Sequence, residues 1–257
     1  MYKGFRLASG FKLNAQNRPS KERQNQVDLQ LVKEMIVSGE TIDAQKVADK
    51  LFPIGTPDVF LSHSFNDRGD ALQLAAAMQD LGLSVFIDSE VWGSVYDLLR
   101  EVDDQYCWQA MTNTYYYEKR NQSTAHVYMV LNTALHNMID RSEAFLFIGS
   151  ENSLVASASE MTELGDEQKT FSPWIHSELM ISSMIRRTSP PRYSGRRGAA
   201  KSEASTEVFD EAMNLEVHHP APVKHLKFLR SDILNKWLAV GKPIDKHSLD
   251  ELYSLIG

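Results

Sequence analysis

Apolar positions along this chain alternate between helical and strand spacing, and the changes divide it into residues 1–56, 57–187 and 188–257. Residues 1–25 scatter Asn14, Asn17, Arg18, Pro19 and Ser20 without a sustained period, which predicts a loosely ordered arm. Val27, Leu31 and Met35, then Ile42, Val47 and Leu51 beyond Ser38-Gly39, predict two short helices over 27–37 and 41–51. Pro53, Gly55 and Pro57 punctuate the chain before Asp58-Val59-Phe60-Leu61, an apolar run of the kind that forms a buried strand.

From there a crossover pattern takes over. The polar turn Ser62 to Asp67 leads into Ala71, Leu74, Ala75, Met78 and Leu81 on one helical face, with Gly82 placed to end the helix. Leu83 to Ile87 is a second strand, and a strand, helix, strand succession with such short links implies a right-handed crossover in a parallel sheet. Residues 89–125 interrupt the rhythm as an insertion with Trp92-Gly93, a helix over 95–106 and the run Tyr115-Tyr116-Tyr117. Helical spacing returns over 126–139, and Ala144 to Ile148, bounded by Gly149, is a third strand. Residues 150–171 read as a polar loop, after which Ser172 as N-cap and Pro173 at the first helical position start another helix. Beyond Arg187 a Pro-, Gly- and Ser-rich basic loop precedes terminal helices over 226–239 and 248–256. The expectation is an α/β fold with a mainly parallel sheet flanked by helices, and helical extensions at both ends.

Composition narrows the function classes. The chain has 257 residues, a formal net charge of -7 and a single cysteine, Cys107, so no intrachain disulfide or Cys-rich zinc site can be built. A reducing cytoplasm fits, as no apolar run is long enough for a membrane span and MYKGFRLASGFKL lacks an export signal. The acidic balance argues against nucleic acid as a partner. Six basic residues between Arg186 and Lys201, with no interleaved aromatic repeat, read as a solvated loop. No G-x-G-x-x-G, P-loop or H-E-x-x-H motif occurs, and His218, His219 and His225 lack a carboxylate or Cys framework, so no metal site is expected.

The candidate chemistry centres on Glu178. It lies with Trp174, Ile181 and Ile185 on one stripe of the helix that starts at Pro173. A carboxylate in an apolar stripe either opens onto a pocket, where desolvation raises its pKa, or is paired with a cation or loop as a structural group. Spacing alone leaves both readings open. Ser62, His63 and Asp88 fall at carboxyl ends of strands, where open α/β sheets bind ligands.

Four ordered segments, DVFLSHSFND, VFIDSEVW, EAFLFIGSENS and SPWIHSEL, resemble the TIR (Toll/interleukin-1 receptor) domain over about residues 58–187. The insertion resembles that of a bacterial TIR-like subgroup. The resemblance implies a flavodoxin-like sheet and an NAD+ nucleosidase, in which Glu178 of the W-x-x-x-E stretch from Trp174 is catalytic. Cleavage of the nicotinamide–ribose bond would give ADP-ribose or a cyclic isomer, with NAD as substrate and not cofactor. It also implies Ser62 and His63 as ribose and phosphate contacts and Trp92 as a stacking platform; Asp88, either a substrate contact or a structural turn carboxylate, and Trp174 are further candidates, and Arg120 and Asn121 of the insertion are candidates to reach a pyrophosphate. A role in antiphage defence, self-association through TIR–TIR contacts and a downstream effector sensing a nucleotide product follow from the same resemblance. A purely scaffolding TIR domain and an N-glycosidase of another nucleoside are the rival expectations.

Overall fold

A computed structural model describes residues 1–8, 10–13, 43–52, 55–155, 168–193 and 217–257, except the side chains of residues 8, 50, 51 and 90–95. The expected helix over 27–37 and most of the basic loop lie outside the described residues.

Five parallel strands form the sheet: β1 (Lys3–Ala8), β2 (Val59–Ser62), β3 (Val85–Ile87), β6 (Ala144–Gly149) and β9 (Lys227–Leu229), in the order β3-β2-β6-β1-β9. Strands β2 and β6 are buried along their whole length, as expected of parallel strands covered on both faces. Between β1 and β6, besides β2 and β3, come α1 (Ala44–Leu51), α2 (Arg68–Asp80) and α3 (Ser89–Tyr106), the small antiparallel pair β4 (Trp108–Gln109) and β5 (Thr114–Tyr115), and α4 (Tyr117–Arg141). After β6 follow β7 (Lys169–Thr170), α5 (Pro173–Met184), β8 (His219–Pro220), β9, α6 (Ser231–Ala239) and α7 (Ser248–Ile256). The fold is α/β, and its β3-β2-β6 half follows the flavodoxin-like arrangement in which the second, first and third strands lie side by side.

The two faces sort by the strand period of two. Phe5, Leu7, Val59, Leu61, Leu146 and Ile148 meet α2, α6 and α7 on one side. Phe60, Phe86, Phe145 and Phe147 meet α3, α4 and α5 on the other. On that second face the rings of Phe86, Phe60 and Phe145 lie 5.3 and 5.7 Å apart across three neighbouring strands, an apolar floor for the row above it. Helix α2 ends as expected, with Gly82 at φ 81° donating its amide to the Gln79 carbonyl. At the amino edge Arg192 binds Glu143 and Asp250, and the Tyr253 hydroxyl donates to Glu143 at 2.9 Å.

Four expectations need correction. Residues 3–8 are no loose arm: Phe5 and Leu7 alternate into the core, and β1 is an interior strand paired with both β6 and β9. Residues 227–229 form β9 instead of opening a helix, and the terminal helix starts at Ser231. Together β1 and β9 supply the far half of the sheet, so the α/β unit is built from both ends of the chain and does not stop at residues 57 and 187. Finally, the insertion is largely helical, because α4 begins at Tyr117 and absorbs Arg120 and Asn121 into its first turns.

Candidate functional site

The crossover from β2 to β3 runs one way along the sheet, and the path to β6 returns to the other side of β2. This topological switch opens a crevice at the carboxyl ends of β2 and β6, the place where such sheets take their ligands. Ser62 ends β2 there, and period-two alternation turns it to the same face as Phe60, under α5.

Helix α5 is set by its cap: Ser172 Oγ accepts the Ile175 amide and Pro173 occupies the first turn. Its buried positions are Ile175, Glu178, Leu179 and Ser182. That stripe is rotated from the expected one through Trp174, Ile181 and Ile185, and it puts Glu178 at the centre of the buried face. Glu178 has 0% exposure. The Ser62 hydroxyl donates to its Oε2 at 2.5 Å.

Asp88, immediately after β3, completes the cluster with His63, whose Nδ1 lies 3.1 Å from Asp88 Oδ1. Both are buried. Burial is the largest influence on Glu178 and drives its pKa well above the ordinary carboxyl value; the neighbouring Asp88 carboxylate adds to this, and the Ser62 hydrogen bond only partly opposes it. Burial alone would lower the pKa of His63, but the hydrogen bonding and charge of Asp88, with help from the Leu61 carbonyl and Asp67, carry it above the ordinary value. The cluster therefore sets an imidazole that Asp88 draws towards its charged form beside a carboxyl group that burial holds towards its neutral form. A second negative charge on Glu178 is disfavoured until something positive arrives beside it.

Loops across the switch point are tied together by Asp67, which accepts from Asn152 Nδ2 at 2.7 Å and from the Ser150 hydroxyl. The sequence reading passed over Asp67, Ser150 and Asn152, although they sit within the SFND and GSENS stretches. It also passed over Arg6, whose strand register aligns it with Phe147 on the site face. The alternation of Phe5 and Leu7 was the signal that would have found it.

Of the expected site residues, Ser62, His63, Asp88 and Glu178 come together. Trp174 is half-buried one turn before Glu178, its ring 5.4 Å from that of Tyr128 on α4. Trp92 falls within α3, and its side chain lies outside the described residues. Arg120 and Asn121 do not join the cluster. Arg120 Nε donates to Asp103 on α3 at 2.8 Å, and its guanidinium lies over Tyr115. Helix α4 meets α5 at Asn132, which accepts from Ser177 at 2.7 Å. At 1.5 Å per residue, Arg120 is on the order of 18 Å back along the axis. A cavity of about 520 Å³ between α1, α3 and α4, lined by Val47, Leu98, Val102, Cys107 and Leu131, is separate from the cluster and includes none of its four residues.

Comparison with protein-family models, curated proteins and solved structures returned no match for this chain.

Proposed function

We propose that this chain is a TIR-type NAD+ nucleosidase, with Glu178 as its catalytic carboxylate. The observation that carries the reading is a fully buried carboxyl group, held by Ser62 and raised in pKa beside Asp88, at the switch point of a parallel sheet. NAD+ brings a cationic pyridinium and, as the glycosidic bond breaks, an oxocarbenium-like ribose. Either positive charge favours ionisation of Glu178, which then stabilises the charge that develops at the sugar.

In the proposed step the bond from the anomeric carbon to the nicotinamide nitrogen breaks, and its electron pair neutralises the ring. Water adds to the anomeric carbon and loses a proton to solvent, giving nicotinamide and ADP-ribose; capture by the adenine of the same molecule gives a cyclic isomer instead. Ser62 orients Glu178, and His63 holds Asp88 in place. The motif resemblance to the bacterial TIR-like subgroup supports a role in antiphage defence, through loss of NAD or a nucleotide product sensed downstream. It also supports self-association as the route by which the closed cluster opens.

The experiment is incubation of purified protein with NAD+, including conditions that promote oligomerisation, with nicotinamide followed by chromatography. The expected result is release that falls about 100-fold or more in Glu178→Ala. Complete burial of Glu178 favours one rival, a scaffold in which the four-residue cluster only supports the fold. That rival prevails when no nicotinamide is released and Glu178→Ala keeps full biological activity.

A further inference from the structure

The carboxyl edge of the sheet holds a cation that the Glu178 cluster does not use. Arg6 of β1 lies opposite Phe147 of β6, and Ser62 of β2 lies opposite the same residue from the other side. Ser62, Phe147 and Arg6 thus form one row on one face, with Ser62 and Arg6 two strand spacings, or about 10 Å, apart. The Arg6 side chain leans off its own strand. Its Nε and Cγ stand 2.6 and 3.3 Å from where a Cβ on Gly149 would be, so it leans over β6 at Gly149, near the carboxyl edge, into space that a side chain there would fill. Nε is buried and has no hydrogen-bond partner among the described residues. Burial lowers the pKa of this guanidinium.

A buried donor without a partner is costly, and a guanidinium presents a planar fork of donors that matches phosphate oxygens. From the anomeric carbon, the ribose ring, C5′ and O5′ reach towards phosphorus over less than the backbone gap between Ser62 and Arg6, and the length of the Arg6 side chain covers the remainder. We propose that Arg6 binds the pyrophosphate of a dinucleotide whose ribose faces Glu178. This rests on the nucleosidase reading above. The contrasting role is that Arg6 only covers β6 with its stem.

Two substrates that share the scissile bond separate these roles: NAD+, and nicotinamide riboside, which has no phosphate. Arg6→Gln is expected to lower the ratio of kcat/KM for NAD+ over nicotinamide riboside about 10- to 100-fold, mainly through KM for NAD+. Arg6→Lys, which keeps the charge and loses the fork, is expected to fall in between. Gly149→Ala, which leaves Arg6 in the chain and displaces its side chain, is expected to lower the ratio in the same direction. It carries the test if Arg6→Gln does not fold by circular dichroism. An unchanged ratio overturns the proposal, whether both activities fall together or neither moves. Should the wild-type protein cleave neither substrate, the nucleosidase reading falls and calorimetric titration with ADP-ribose decides for Arg6 alone. Binding lost in Arg6→Gln then supports the phosphate site, whereas binding equal in both proteins, or absent from the wild type, overturns it.

Discussion

Ionising Glu178 in the closed cluster would set a second carboxylate against Asp88 without water to screen them, so the fold holds the acid neutral. Its folded pKa lies above its unfolded one. Its contribution to stability is therefore fully present below the ordinary carboxyl range and declines as pH rises from there towards the folded pKa. Glu178→Gln removes this penalty, and its amide can donate to the Asp88 carboxylate. We expect it to raise Tm at neutral pH, where each kcal/mol recovered is worth about 2–4 °C in a domain of this size, and the gain to shrink as pH falls towards about 4.5. Thermal melts of both proteins across that range check it. A lower Tm for Glu178→Gln at every pH would show that the carboxyl contributes net stability as it stands. The same substitution is expected to abolish nicotinamide release, which would make the penalty a cost the fold carries for function.

Among the elements, β1 contributes most beyond what its length suggests. Six residues supply an interior strand, put Leu7 at 0% exposure between α-helical cover and the sheet, and bring Arg6 to the site face. Leu7→Ala is expected to cost about 2–5 kcal/mol, measured by urea denaturation, whereas a loose arm would lose nothing. The sequence made β2, α2, β3, β6 and α5 legible because each couples an apolar run or stripe to a Gly, Ser or Pro signal at its end. In β1 and β9 the apolar residues are few and are interleaved with Lys3, Gly4, Arg6 and Lys227, so their pairing is specified by partners far along the chain and not by local pattern. The site divides in the same way. Ser62, His63, Asp88 and Glu178 follow directly from legible strands and a capped helix. Arg120 and Asn121 fall on α4, whose length could not be read through the aromatic run before it, and Arg6 belongs to a strand that the local pattern did not reveal.

In the whole molecule the proposed catalytic carboxylate, with its neighbours Ser62, His63 and Asp88, is buried where solvent does not reach it. Assembly between copies is the proposed means of opening it. Specific activity is then expected to rise steeply with protein concentration and to track oligomer formation by light scattering; a specific activity independent of concentration would place the opening within a single chain. The topology adds a constraint on how such a molecule comes into being. Strand β1 lies ahead of the other described strands in the chain, yet its partners are residues 144–149 and 227–229. During synthesis β2 and β3 can pair while β1 waits for β6, and the sheet's far edge waits for β9. Closing such distant contacts is slow. Arg6 takes its place once β1 docks on β6, a contact that residues 1–149 can already make, so the row of Ser62, Phe147 and Arg6 can stand before the chain has reached Glu178.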